Sequence, residues 1–249
     1  MQKPTLAVQL YSMHAEFEKN PEAALRKVRE LGYDHVELAG DYGWTAEKWL
    51  GMLAETGLKV VSAHIGTTDK MLKTLEKELA LQPAIGNLKF GICDIAPEHH
   101  SLAGYKKTAS DLNILAEQVK SVGGIVFYHH HDFDFKNYGG RTGFDILLEE
   151  TDPSVMVQID TYWVEVMGLE AVPSLEKYTS RLLSIHAKEI DSAHSGRHMV
   201  VGEGSIDFSG VVEFARSKDI PVIVEFEGEN PIEPLAKSAV YLKKLISGR

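Results

Sequence analysis

The densest set of reactive side chains in the chain is Phe127-Tyr128-His129-His130-His131-Asp132-Phe133-Asp134-Phe135. It follows the apolar run Gly124-Ile125-Val126-Phe127, which reads as a buried strand. Side chains alternate faces along a strand, so His129 and His131 point one way and His130 the other. Two imidazoles on one face at a strand end, with Asp132 and Asp134 just beyond, form a group of borderline ligands suited to a divalent transition metal. A polar run merely leaving a strand accounts poorly for three consecutive histidines beside aromatics.

The same design recurs elsewhere: an apolar segment that ends in a carboxylate or an imidazole. Glu37, His64, Asp94, Asp160, His186 with Lys188, and Glu225 with Glu227 all occupy such ends. Singly, each has a plain alternative. His64 is equally a core imidazole bonded to a carbonyl, Glu37 a partner for a nearby cation, and Lys188 half of an ion pair with Glu227 or Asp160. Tyr162 and Trp163 are packing or, just past Asp160, a wall for a sugar ring. Cys93 reads as a small buried apolar residue rather than a nucleophile. Chance produces the joint pattern far less readily, and Asp160, His186 and Glu225 are its strongest members.

The elements that must position these residues alternate in type. Strands are expected at Leu6–Leu10, Asp34–Leu38, Leu58–His64, Leu88–Ile92, the histidine segment, Val155–Asp160, Leu182–Lys188 and Ile220–Glu227. Helices fall between them, with Asn20-Pro21 and Thr45 as N-terminal signals and Gly57 as a stop. A weaker helix is expected around Leu169–Thr179, and a long polar connection over Glu189–Gly204. Eight such units in 249 residues, with no linker or composition break, predict one (β/α)8 barrel domain over residues 1–249. A doubly wound sheet would place a glycine-rich phosphate loop after the first strand, where Tyr11-Ser12-Met13-His14 stands. In a barrel, the strand C-termini and following loops form the active face, so all the singled-out residues converge on one mouth.

Composition narrows the partners. Hydrophobic content of 44% and charged content of 25% suit a globular chain, and a net charge of −10 opposes nucleic acid or an anionic membrane. A DNA-repair nuclease of this fold would need a basic groove. One cysteine excludes an internal disulfide. No apolar run approaches the ~20 residues of a membrane span. The start, Met1-Gln2-Lys3-Pro4, lacks secretory-signal features, so a cytoplasmic location is expected, although a leader removed beforehand would leave the same reading.

Matches along the whole chain resemble the xylose isomerase-like barrel superfamily of sugar isomerases, epimerases and sugar dehydratases. They are Val8-Gln9-Leu10-Tyr11-Ser12, Gly32-Tyr33-Asp34-His35-Val36-Glu37-Leu38, Ser62-Ala63-His64, the histidine segment, Asp160-Thr161-Tyr162-Trp163, His186-Ala187-Lys188-Glu189, Gly202-Glu203-Gly204-Ser205-Ile206-Asp207 and Val224-Glu225. The resemblance implies a divalent metal, Mn2+ or Mg2+ first and Zn2+ or Co2+ also compatible, held by His129, Asp160, His186 and Glu225. Where the sugar epimerases carry a fifth-strand glutamate this chain has His129, so His131 or Asp134 is an alternative ligand. The inosose dehydratase and 3-keto-glycoside lyase branch has Asn and Glu where His130 and Asp134 stand here.

The expected chemistry is proton abstraction next to the carbonyl of a sugar or keto-sugar. Glu225, His131 and His64 are the candidate bases, Lys188 is a proton donor, and Glu37, Tyr162, Trp163 and Glu227 are substrate contacts. Isomerase or epimerase action is placed first. A lyase, dehydrating a keto-inositol or eliminating a glycoside from a 3-keto-sugar, comes close behind, and a non-catalytic sugar-binding barrel is the remaining alternative. Self-association of barrels is expected to be open to this chain.

Overall fold

The computed structural model describes residues 3–193 and 195–248; Met1 and Gln2 of the start, His194 in the connection after the seventh strand, and Arg249 lie outside them. Eight parallel strands close on themselves in chain order, the fold expected from the alternating units. They are β1 (Leu6–Gln9), β2 (His35–Ala39), β3 (Lys59–Gly66), β4 (Lys89–Ile92), β5 (Ile125–His129), β6 (Met156–Asp160), β7 (Leu182–Ala187) and, after the small pair β8 (Glu189–Ile190) and β9 (His198–Met199), β10 (Val222–Val224). Closure is made by β1 against β10, with Leu6 opposite Val222 and Val8 opposite Val224.

The helices form where local signals place them. Asn20 accepts from the Ala23 amide and Thr45 from the Lys48 amide, while Gly57 ends the helix Ala46–Thr56 in the left-handed conformation. Their apolar faces bury Leu25, Val28, Trp49 and Leu112 against the outside of the strands. Each such side chain contributes roughly 1.5–3 kcal/mol of burial free energy. No helix among the described residues is long and apolar enough to cross a membrane.

Three details depart from the sequence expectations, and each shapes the mouth. The last barrel strand pairs only over Val222–Val224; beyond it the Phe226 amide turns to the Ser12 hydroxyl, which releases Glu225 and Glu227 into the loop. A short helix, Thr161–Val166, starts directly at the tip of β6, and the weaker helix after it is confined to Ala171–Lys177. The polar connection after β7 contains the antiparallel pair of β8 and β9.

Candidate metal and proton-transfer site

Register decides which polar side chains meet. Gln9 lies beside Glu37, Glu37 beside Ser62, His129 beside Gln158, and Asp160 beside His186 on adjacent strands. Barrel interiors are ordinarily filled by branched apolar side chains. Here Gln9, Glu37, Gln158 and His186 have no exposed surface, and Ser62 and Ser184 almost none, so a polar layer fills the space under the mouth.

That layer is fully hydrogen-bonded around Glu37. Its Oε2 accepts from Gln9 Nε2 at 2.8 Å and His186 Nε2 at 2.5 Å, and its Oε1 from Ser62 Oγ at 2.5 Å and Gln158 Nε2 at 2.9 Å. Burial would raise this carboxyl, but the His64 and His186 imidazoles and these bonds hold it at about 2. Gln158 Nε2 donates to a carboxylate that can only accept, so its Oε1 is the atom facing the imidazoles. That oxygen takes His64 Nε2 at 2.8 Å and His129 Nδ1 at 2.9 Å. The tautomers follow: His129 keeps its Nε2 lone pair and His64 its Nδ1 lone pair.

Above the layer, ligand atoms of His129, Asp160, His186 and Glu225 all lie within 4.8 Å of one another, and all four residues are buried. A second grouping, His64 with His129 and His186, shares two of them. Asp160 Oδ1 caps the following helix through the Tyr162 amide at 2.8 Å, while its Oδ2 is buried with no hydrogen-bond partner. His186 Nδ1 faces that oxygen at 3.8 Å and Glu225 Oε2 at 3.2 Å. An orphaned carboxylate oxygen inside a two-imidazole, two-carboxylate set fits a divalent ion with affinity for both nitrogen and oxygen.

Electrostatics divide the site. Burial raises Asp160, whereas Glu225, despite its burial, is held low by Lys188 and His186. Burial would lower His186, but Glu37 and Glu225 bring it to about 10. Burial lowers His129 and His64, the latter against the pull of Glu37, and lowers His131 to about 4. Lys188 is fully buried, with Nζ 2.5 Å from Glu227 Oε1 and 3.5 Å from Glu225 Oε2; burial opposes its charge, and Glu225, Asp160 and Glu227 outweigh it. The same ammonium lies 4.9 Å from the centre of the Trp163 ring and 5.2 Å from that of Tyr162.

Sequence-singled residues thus fall into three places. His129, Asp160, His186 and Glu225 meet, with His64, His131, Lys188 and Glu227 around them. His131 is half-buried, packs 5.4 Å from Trp163, and has an unpartnered buried Nδ1. Glu37, expected among substrate contacts, lies beneath the cluster with both oxygens occupied, so it has no face toward the mouth. Tyr162 is 4% exposed, stacked on His198 and bonded to the Gly196 carbonyl, and neither it nor Trp163 lines the open cavity.

Asp134 corrects the alternative fifth-strand ligand. It turns away from the mouth and accepts from Tyr128 and Tyr105 hydroxyls at 2.9 Å and the His131 amide at 2.8 Å. The strand ends at His129, and the one turn of 3-10 helix after it carries Asp134 to the outer side. His130 also faces outward, its Nε2 accepting from the Asp160 amide at 3.1 Å.

The mouth opens into a cavity of about 400 Å³ lined by His64, His129, His131, Glu225 and Glu227 together with Tyr11, Lys70, Cys93 and Asp94. Cys93 is half-buried there, and burial pushes its thiol up to about 12. The sequence assigned no site role to Gln158, Gln9, Ser62, Tyr11 or Lys70. Gln158 had a signal: a polar residue two before Asp160 on the strand shares its inward face. Lys70 had none, being one cation among several on a helix.

The match to the xylose isomerase-like TIM barrel family covers residues 25–245, and the chain belongs to that family. Among curated relatives, an inosose dehydratase of Clostridium botulinum is 23% identical over 91% of this chain and 90% of its own length. Among solved structures, a sugar phosphate isomerase/epimerase of Parabacteroides distasonis superimposes with a TM-score of 0.81 at 23% identity, over 98% of this chain and 94% of the other. A 3-keto-D-glucoside 4-epimerase of E. coli gives 0.74 at 20% identity, over 97% of this chain and all of its own (100%).

Proposed function

We propose that this chain is a divalent-metal-dependent enzyme that removes the proton next to the carbonyl of a keto-sugar or keto-polyol and then expels the β-oxygen, a lyase or dehydratase reaction. The observation that carries the reading is Lys188, a fully buried ammonium held directly behind Glu225 and Glu227, two carboxylates that line the mouth. Epimerisation, placed first on sequence grounds, needs matched bases on two faces of the substrate. Here one side offers carboxylates backed by an ammonium and the other offers imidazoles, an asymmetry better suited to elimination.

His129, Asp160, His186 and Glu225 are the residues that would hold the metal; of the expected ions, the two imidazoles suit Mn2+, Co2+ and Zn2+ better than Mg2+, which prefers oxygen. When bound, it would supply Lewis-acid charge at the substrate carbonyl oxygen. The chain does the rest. Glu37 and Gln158 orient His186 and His129 through the nitrogens that face away from the cluster. The His131 imidazole, which lines the cavity, takes the carbon-bound proton, and the electron pair moves toward the carbonyl oxygen. Lys188 delivers its proton to the departing oxygen as the carbon–oxygen bond breaks, so the leaving group departs as water or an alcohol. Trp163 packs against both groups and holds their separation.

The relatives named as dehydratases support this reading, and those named as epimerases keep the other as the second outcome of one experiment. Metal-loaded protein is incubated in D2O with a keto-inositol and with a 3-keto-glycoside. Loss of water or alcohol, slowed about 10²–10⁴-fold in Lys188→Met, is expected. Deuterium appearing at the substrate carbon with the leaving group retained would replace elimination by epimerisation.

A further inference from the structure

The cavity over the metal ligands does not end at its own wall. It shares Ala39, Gly40, Ile65 and Lys70 with an adjoining recess of about 360 Å³ between the loop after β2 and the helix Thr68–Ala84. Lys70 stands at the neck between the two. Its placement is built in: Gly66 has φ of 123°, and a Cβ there would sit 2.9 Å from Lys70 Cδ. Only glycine accepts that backbone and leaves room for the lysine stem to lie across it. The ammonium makes no ion pair or side-chain hydrogen bond among the described residues, unlike Lys77 beside it, which is paired with Asp41.

The first cavity is of a size for one sugar ring with water. The recess therefore has no role in a reaction on a single ring, and its chemistry indicates what it takes. Its charged lining is Lys70 and Lys77 against Asp41 and Glu78, two of each sign. Glu78 is buried and accepts from Gln82. A phosphate dianion would meet both carboxylates at close range, whereas a polyol can donate to them and accept from Lys70. We infer that the recess is a second subsite, and that the substrate is a glycoside whose second sugar unit lies between the β2 loop and the helix Thr68–Ala84, with Lys70 at the linkage.

This inference rests on the keto-sugar reading above. Two compounds test it: a methyl glucoside and a glucose disaccharide, each oxidised to the 3-ketone on the non-reducing ring. In the metal-loaded wild type, kcat/KM for the disaccharide exceeds that for the methyl glycoside by about tenfold or more, the effect of one or two charge-assisted contacts. In Thr74→Trp, which fills the recess from the helix, and in Lys70→Met, the ratio falls to near one. Equal, measurable rates on the two compounds in wild type, or a ratio untouched by Thr74→Trp, overturn the subsite.

Saturation-transfer NMR with the same compounds separates this from the chemistry. Transfer to the second ring, abolished in Thr74→Trp, upholds the recess even where neither compound turns over, an outcome that sinks only the lyase reading. Transfer confined to the oxidised ring sinks the recess alone. A 3-keto sugar phosphate that outcompetes the disaccharide would also reject it, in favour of an anion site.

Discussion

Gln158 illustrates how one side chain commits several others. Its amide reads the charge of Glu37 on one side and passes a single acceptor to two imidazoles on the other. Losing it frees His129 to flip or change tautomer. Gln158→Leu is accordingly expected to weaken Mn2+ binding about 10–100-fold, measured by competition with a chelator. Glu37→Gln retains a shape that still accepts from His186 and should lose less. Nitrogen-15 NMR of metal-free protein reads the tautomers directly: His129 protonated at Nδ1 in the wild type, and mixed in Gln158→Leu. A single unchanged tautomer in both proteins would remove the positioning role.

Among the strands, β4 shows what the barrel asks of a position that does no chemistry. Gly91 faces His64 across the β3–β4 pair. A Cβ at this glycine would come within 2.5 Å of the Phe127 ring, 2.8 Å of the Ala63 carbonyl oxygen and 2.9 Å of His64 Cδ2. The ring of His64 has its place because this residue has none. Gly91→Ala should therefore cost about 1–3 kcal/mol in denaturant unfolding and displace His64 from Gln158. An alanine variant of wild-type stability would mean that the strand can shift. The tip of β6 shows the complementary case: one oxygen of Asp160 starts the next helix, which leaves the other for the cluster.

The whole molecule carries several buried ionisable groups, and Asp134 is one whose effect on stability can be isolated from the metal. Burial pushes its carboxyl up to about 7, against the bonds from the His131 amide, Tyr128 and Tyr105. The folded chain thus keeps a proton that the unfolded chain releases near pH 4, so stability falls as pH rises from about 4 to about 7 and is level beyond. The slope from this group is at most about 1.4 kcal/mol per pH unit. In chelator-treated protein, wild type should show that extra decline relative to Asp134→Asn across the same range; identical slopes would place the ionisation elsewhere.

The barrel itself was legible because alternating strands and helices, their caps and their lengths are local properties, each written in a few consecutive residues. The four converging side chains His129, Asp160, His186 and Glu225 were legible for a related reason: strand ends in such a barrel share one face whatever their separation in sequence. Asp134 and Glu37 were not. One backbone turn carries the first to the outside, and register with Gln9 and Ser62 sinks the second below the mouth. Lys70 gained meaning only from Gly66 and a recess between elements distant in the chain. Sequence alone determined which side chains gather at the mouth, since periodicity sets the face; depth, tautomer and partner depend on register and loop path, which only packing in three dimensions selects.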